Sequence, residues 1–383
     1  MKKASPKVSV ILTSYNHAKY VREAIDSVIN QTFNDFELII IDDTSSDNSW
    51  ELISEYVDPR IRAFRNETNM GPVFCVNKAI SELASGNYIA IHHSDDVWEL
   101  NKLQKQLDFL AANPNIGAVF SNTHLIDERG QPLADRSNAY YSIFNQSNRS
   151  RQEWLRHFFF RGNALCHPSI LIRKQCYEDC GLYLDYLAQL PDFDMWIRLC
   201  FKYDIHVLPE RLVRFRVLDN EANSSGNRPE VRIRYRSEAH YISQYYFNIS
   251  SFDELVTIFP EAKEYYRSNG CELKFIMAII AVGEKSPPWA KLFGIETLFE
   301  LLSDAGTREI IRSLYQFESR ELIALTGKFD LFFLESVAYL NHEVAKCNAL
   351  ISKQAELIEQ LTRLAQIDGA MESNRQIPKP SHS

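Results

Sequence analysis

Short apolar runs alternate with polar loops and with segments of helical periodicity along the first quarter of the chain. Val8-Ser-Val-Ile-Leu12 predicts a buried strand, ended by the polar loop Thr13-Ser-Tyr-Asn16. Over residues 20–29, Val21, Ala24, Ile25 and Val28 fall on one helical face. Phe36-Glu-Leu-Ile-Ile-Ile41 predicts a second strand. The loop Asp42-Asp-Thr-Ser-Ser-Asp47 follows, with Ser46 or Asp47 suited to cap the next helix. Residues 60–65 form a weaker third strand. Asn69-Met-Gly-Pro72 turns the chain into a helix carrying Val76, Ala79, Ile80 and Leu83, which Gly86 ends. Ile89-Ala-Ile-His-His93 is a fourth strand that runs straight into Ser94-Asp-Asp96. Strands alternating in this way with helices of about ten residues predict a mostly parallel sheet flanked by helices.

Beyond this unit, residues 98–110 read as a helix and 116–120 as a strand. Residues 128–150 are polar with little periodicity: either a mobile loop over the site or an ordinary surface insertion. Residues 163–173 contain a further strand. Leu190-Pro-Asp-Phe-Asp-Met-Trp-Ile-Arg-Leu199 predicts a buried helix, and residues 207–216 a last strand. The polar stretch 219–228 marks a domain boundary. Residues 229–330 are helical and rich in aromatics (Tyr235, Tyr241, Tyr245, Tyr246, Phe247, Tyr265, Tyr266), a pattern of core or interface rather than of a sugar platform. From Val337, a seam of Leu340, Val344, Cys347, Ile351, Gln354, Ile358, Leu361 and Ala365 alternates steps of three and four over about four heptads. It predicts a coiled coil, with one amphipathic helix docked on the body as the alternative. The expected organisation is 1–225 (sheet domain), 226–330 (helical domain), 331–368 (coiled-coil helix) and 369–383 (disordered tail).

The chemistry sits at the carboxyl ends of the strands, where open α/β sheets place ligand crevices. Asp95 and Asp96 are adjacent acids that repel each other. A divalent cation with a phosphate-bearing ligand offsets that repulsion, and hard oxygen donors suit Mg²⁺ or Mn²⁺. The alternative is that both acids simply open the next helix. Asp43 is suited to accept the imide N–H of uracil, and Tyr15 to stack on a base, beside the amide of Asn16. No G-x-G-x-x-G follows the first strand and no Walker lysine loop occurs, which argues against a dinucleotide fold or a P-loop.

Composition narrows the class. The chain has 383 residues, 45% hydrophobic and 24% charged, enough for two to three globular domains. The net charge of −8 brings no basic stripe, so no nucleic-acid partner is expected. Seven cysteines without metal-ligand spacing read as reduced thiols. With no apolar run long enough for a membrane span and no secretory signal, the expected location is the cytoplasm, or the inner face of the inner membrane.

The segments Val8-Ser-Val-Ile-Leu-Thr-Ser-Tyr-Asn16, Gln31-Thr32, Phe36-Glu37, Ile41-Asp-Asp-Thr-Ser-Ser-Asp47, Asn69-x-Gly71, Gly86-Asn-Tyr-Ile89 and Ser94-Asp-Asp96 together resemble, in order, family 2 glycosyltransferases of the GT-A fold. The resemblance implies an inverting transfer of sugar from a nucleotide diphosphate sugar. It implies that Thr13 and Asp43 contact the base, that Asp42 supports their loop, and that Asn69 belongs to the nucleotide site. Asp95 and Asp96 match the metal and diphosphate motif. The family often carries an acid where His93 stands; His93 is then a metal or phosphate partner or a group holding Asp95. His167, an isolated histidine, reads as a hydrogen-bonded structural group or else a metal ligand. A Glu-Asp pair opens the family's acceptor-side helix and its Asp is the general base. Asp192 takes that place with Pro191 in place of the glutamate, and Asp194 stands in reserve. Arg216 either reaches the diphosphate or pairs with an acid. Implied partners are a nucleotide-sugar donor, UDP-linked in the first instance, and a saccharide or lipid-linked acceptor of bacterial surface polysaccharide. The coiled coil implies a homo-oligomer or a protein partner. Two other readings stay open: a catalytically silent scaffold that recruits through the coiled coil, and a nucleotidyltransferase.

Overall fold

Strands β1 (Val8–Ser14), β2 (Phe36–Asp42), β3 (Ile61–Arg65), β4 (Tyr88–His93), β5 (Val97–Trp98), β6 (Ile116–Ile126), β7 (Leu171–Arg173) and β8 (Asp204–Arg216) form one sheet in the computed structural model, which describes residues 5–268 and 270–373. The order is β3-β2-β1-β4-β7-β6-β8-β5. The first four strands pair in parallel, as their alternation with helices predicts. β7 then runs antiparallel to both β4 and β6, and β5 antiparallel to β8, so the whole sheet is mixed. β2 is buried along its whole length, the mark of a strand covered on both faces. β3, the weak strand of the sequence, is the exposed edge.

Helices α1 (Val21–Ile29), α2 (Ser49–Ser54), α3 (Pro72–Lys78) and α4 (Lys102–Ala112) flank this sheet, α3 continuing as a π turn over Ala79–Leu83. The predicted face of α1, Val21, Ala24, Ile25 and Val28, packs on Val8, Val10 and Leu12. Asp47 does not sit at the N-cap of α2, where Asn48 lies; its carboxylate instead accepts from the Ser49 N–H and hydroxyl. Residues 98–101 are not helical. Trp98 pairs with Val213 as an edge strand and buries its ring, with Nε1 donating to the Pro168 carbonyl at 3.0 Å. Packing of a large aromatic has overridden helical periodicity there.

Next come α5 (Tyr140–Ile143), α6 (Arg151–Arg161), α7 (Lys174–Cys180) and α8 (Pro191–Cys200). The polar segment 128–150 is anchored rather than loose. Tyr140 stacks on Phe144 at 5.2 Å, and both rings meet Phe215 in a small core with Leu125 and Leu133. Ser150 and Glu153 form a reciprocal capping box on α6.

The remaining helices are α9 (Pro229–Ser243), α10 (Phe252–Ile258), α11 (Leu273–Ala281), α12 (Pro288–Ser303), α13 (Ala305–Tyr315), α14 (Ser319–Thr326) and α15 (Leu334–Ser373). The chain forms two compact units, 1–322 and 323–383. The break expected at 225 is therefore not a break in packing. Tyr246 is buried with its hydroxyl on the Leu155 carbonyl, and Phe159 of α6 packs on Tyr246, Phe259 and Phe293. The aromatics of this region join it to the sheet domain. α11 and α12 cross closely at Gly294, where a Cβ would stand 2.7 Å from the Ala278 carbonyl oxygen.

In the second unit α15 is one helix of 40 residues, about 60 Å long. Val337, Leu340, Val344, Ile351, Ile358 and Leu361 of the heptad seam are all exposed. The helix continues five residues past the expected end at 368; the rest of the expected tail, 374–383, lies outside the described residues. Among the described residues no helix is long and apolar enough to cross a membrane, and none of the seven cysteines is in a disulfide.

Candidate active site

β2, β1 and β4 are adjacent and parallel, so their three polar loops emerge on one edge of the sheet and share a crevice. Asn16, at φ 54°, ties the first loop to the second. Its Oδ1 accepts from the Ser46 N–H at 2.7 Å and the Ser46 hydroxyl at 3.1 Å, while its own N–H donates to Ser45 Oγ at 2.9 Å. Asp42 is fully buried and braces the same loop by accepting from Ser45 N–H and hydroxyl.

Asp43 is turned toward a third segment. Its Oδ1 accepts from Asn66 Nδ2 at 2.8 Å and Met70 N–H at 2.9 Å, and its Oδ2 from Gly71 N–H at 2.7 Å. Asn69 donates to the Asp43 carbonyl at 3.2 Å. Asp43 and Asn69 thus shape the 66–71 turn first; one lone pair on Oδ2 remains for a base. Gly71 at φ 86° is where this turn needs glycine. Thr13, paired with Ile41 and His93, stands between the base-side loop and the β4 end, and Tyr15 is half exposed with its ring open to a stacking partner.

At the end of β4, one donor atom each of His93, Asp95 and Asp96 lie within 4.8 Å of one another. Asp96 is buried. Its Oδ1 accepts from the Arg216 N–H at 2.8 Å, while Oδ2 has no hydrogen-bond partner. Burial, with the charge of Asp95 added, pushes the Asp96 carboxyl well above the ordinary range. Burial likewise holds His93 below its usual value, leaving the neutral imidazole that a metal takes. An orphaned buried carboxylate oxygen beside a second carboxylate and an imidazole fits a divalent cation. His167 is not part of this group: its Nε2 is engaged by the Tyr183 hydroxyl at 3.0 Å, and its ring meets His93 edge-on at 5.3 Å.

Arg216 does not face the crevice. It is buried, with Nε on the Asp95 carbonyl at 2.7 Å, Nη1 on the Asp127 carbonyl at 2.9 Å, Nη2 paired with Glu23, and the guanidinium over the Tyr20 ring. It clamps the Asp95–Asp96 turn from behind. Arg216→Ala is expected to cost about 2–4 kcal/mol in urea denaturation, since three acceptors lose a charged donor at once. Arg216→Lys should recover little of it, because an ammonium does not span the fork.

On the acceptor side, Asp192 and Asp194 part company. Asp194 is fully buried and locked to Arg198, which also holds the carbonyls of residues 180–182. That makes it a structural ion pair, removing the reserve candidate from contact with solvent. Asp192 is part-exposed; its Oδ2 accepts from Asn163 Nδ2 and its Oδ1 from the Phe193 N–H, both at 2.8 Å. Burial raises its carboxyl to about 6, against those two hydrogen bonds. A carboxyl poised near neutrality suits a general base. The 166–167 segment links the two sides: burial and the charges of Asp96 and Asp192 together push the Cys166 thiol up, and His167 packs between His93 and Trp196 of α8.

Three contributors were not legible in sequence. His17 places Nδ1 2.8 Å from Ser94 Oγ across 77 residues, Asn163 orients Asp192, and Glu238 of α9 receives the N–H groups of Ala188, Gln189 and Leu190 just ahead of α8. Only Glu238 left a trace: it is an acid on the stripe Val231, Tyr235, Ile242, spaced to face a core.

Residues 9–173 match the family model described as Glycosyl transferase family 2. Over 254 residues the chain is 29% identical to an uncharacterized glycosyltransferase of Methanocaldococcus jannaschii, covering 63% of this chain and 84% of that protein. Over 120 residues it is 38% identical to the UDP-Glc:alpha-D-GlcNAc-diphosphoundecaprenol beta-1,3-glucosyltransferase WfgD of Escherichia coli, covering 31% of this chain and 47% of that one. The crystal structure of S. aureus TarS 1–349 in complex with UDP-GlcNAc is similar in fold, with a TM-score of 0.53 at 17% identity over 85% of this chain and 93% of that one. With its parallel β3-β2-β1-β4 unit and the acid pair at the end of β4, the chain has a GT-A-like fold, and residues 9–173 of it match family 2 glycosyltransferases.

Proposed function

We propose that this protein is an inverting glycosyltransferase that moves a sugar from a nucleotide diphosphate sugar, UDP-linked, to a hydroxyl of a saccharide or lipid-linked acceptor in bacterial surface polysaccharide synthesis, such as O-antigen or capsule. The reading is supported by the Asp96 oxygen that has no hydrogen bond and by the Asp192 carboxyl held near 6, both of whose charges reach the Cys166 thiol. Asp192 takes the proton of the acceptor hydroxyl as its oxygen attacks the anomeric carbon, and the diphosphate leaves from the opposite face. A Mg²⁺ or Mn²⁺ ion held by Asp96, Asp95 and His93 would neutralise charge on that diphosphate. Tyr15, Thr13 and the remaining lone pair of Asp43 recognise the base. The donor named for the E. coli relative and the UDP-GlcNAc bound to S. aureus TarS both support a UDP-sugar. The reaction belongs to the cytoplasm, where such donors are made, or to the inner face of the inner membrane.

Calorimetric titration with UDP, GDP and dTDP, each with and without Mn²⁺, tests the donor site. Metal-dependent binding of UDP is the expected result. A folded protein that binds none of the three would overturn the reading in favour of a silent scaffold, and release of pyrophosphate during turnover would favour a nucleotidyltransferase.

We also propose that α15 assembles copies of this chain as a coiled coil, because its exposed apolar residues keep a heptad spacing and Gln354 on the seam selects register. The double variant Ile351→Lys with Ile358→Lys should sediment as a monomer with nucleotide binding unchanged. A wild-type protein already monomeric at the same concentration would rule the assembly out, and a monomer that recovers partners only from another chain would replace the second copy by a heterologous one.

A further inference from the structure

We infer that Glu238 and Tyr235 on α9 are positioning residues for the Asp192 carboxyl, so that the helical region after the sheet domain is part of the catalytic apparatus. The inference rests on the reading of Asp192 as the base.

Two separate contacts carry it. Glu238 is buried, and its carboxylate accepts three consecutive backbone N–H groups: Ala188 at 2.9 Å, Gln189 at 2.9 Å and Leu190 at 2.7 Å. Leu190 is the last residue before α8, Pro191 brings no N–H, and Asp192 follows. The acid therefore sets the peptide planes that deliver Asp192, through charge-assisted bonds stronger than neutral ones. Tyr235, one turn earlier on the same face of α9, acts from the other side. Its hydroxyl presses on Gly162, where at φ 79° a Cβ would stand 1.9 Å from the phenol oxygen. The hydroxyl also meets the backbone of Asn163 and feels the charge of Asp192. Asn163 is the residue whose side-chain amide donates to Asp192 Oδ2.

A carboxylate held only to stabilise a loop would have no reason to share its helix face with the tyrosine that seats Asn163. One helix reaches both of the segments that determine where the Asp192 carboxyl points. The groups facing Asp192 are Asp194 on its own helix, the Cys166 thiol, and the Tyr183 and Tyr235 phenols, all three held neutral at pH 7 by upward displacement. Loosening either contact lets water reach Asp192, which lowers its titration midpoint toward that of a free aspartate.

The test uses the full chain labelled with carboxyl-¹³C aspartate, the Asp192 resonance being assigned by its loss in Asp192→Asn. In Glu238→Gln and in Tyr235→Phe the midpoint of that resonance should fall by half a unit or more. Mn²⁺-dependent UDP affinity should stay within two-fold and turnover of UDP-glucose should drop about ten-fold or more. Glu238→Gln preserves shape; if it fails to fold, Tyr235→Phe, which deletes one oxygen, decides by the same readouts. Unchanged midpoint and turnover in these variants, with Asp192→Asn inactive, would overturn the inference and leave the proposed function standing. Turnover that survives in Asp192→Asn would remove the base assignment itself and the catalytic role of α9 with it.

Discussion

Asp192→Asn is expected to lower kcat about 10²- to 10⁴-fold while nucleotide and metal affinity stay unchanged. The substitution keeps the shape of the side chain and one of its two acceptors, so that either the Asn163 amide or the Phe193 N–H loses its partner, and it removes the capacity to take a proton. In the wild type, kcat should rise with pH through a midpoint near the Asp192 value of about 6. The same displacement has an opposite signature in stability. The folded carboxyl, at about 6, binds its proton more tightly than an ordinary aspartate at about 4. Its stabilising contribution is complete below about pH 4 and is lost as pH rises through about 6. At pH 7 the ionised carboxylate costs at most about 3 kcal/mol. Relative to the wild type the inactive variant should therefore gain stability as pH rises from about 4 through 6, on top of a pH-independent cost of about 1 kcal/mol for the hydrogen bond it loses. A stability difference between Asp192→Asn and wild type that stays constant from about pH 4 to pH 7 would overturn the raised carboxyl on which the base assignment leans.

Asp96→Asn is expected to abolish metal-dependent UDP binding, a loss of about 100-fold or more in calorimetry, with metal-independent contacts to the base retained. The amide still accepts the Arg216 N–H, so the turn keeps its shape. What disappears is the charge on the oxygen that has no hydrogen-bond partner and stands 3.7 Å from His93 Nδ1. Burial and the neighbouring Asp95 raise the carboxyl, so a cation must displace a proton to bind. Mn²⁺ affinity of the wild type should consequently tighten as pH rises, and chelation should weaken nucleotide binding at pH 7 by a similar factor. UDP affinity left undiminished by both chelation and Asp96→Asn would separate the donor site from any metal.

The two sides of the site differ in how far the residues alone reveal them. Asp95–Asp96, Tyr15, Asn16 and Asp43 stand at strand ends marked by apolar runs, and the period of those runs is a local property of the chain. Asp43 and Asn69 were legible as loop residues, yet the hydrogen bonds from the 66–71 turn to Asp43 were not, because contacts across more than twenty residues follow no spacing rule. Arg216 offered two readings, and only the burial of its guanidinium between Glu23, Asp127 and the Asp95 carbonyl selects one. Trp98 misled in the other direction: its helical context is real, but its ring is worth more in the core than in solvent.

By itself the sequence determined the alternating β/α order, the faces of α1 and α3, the acid pair after β4, and the heptad seam of α15, since each depends on side chains a few positions apart. Tertiary structure alone decided the antiparallel insertion of β7, the separation of Asp192 from the ion-paired Asp194, and the continuity of α9 with the sheet domain. Those outcomes depend on which distant groups exclude water from a given carboxyl, and burial is a property of the packed chain, not of any stretch of it.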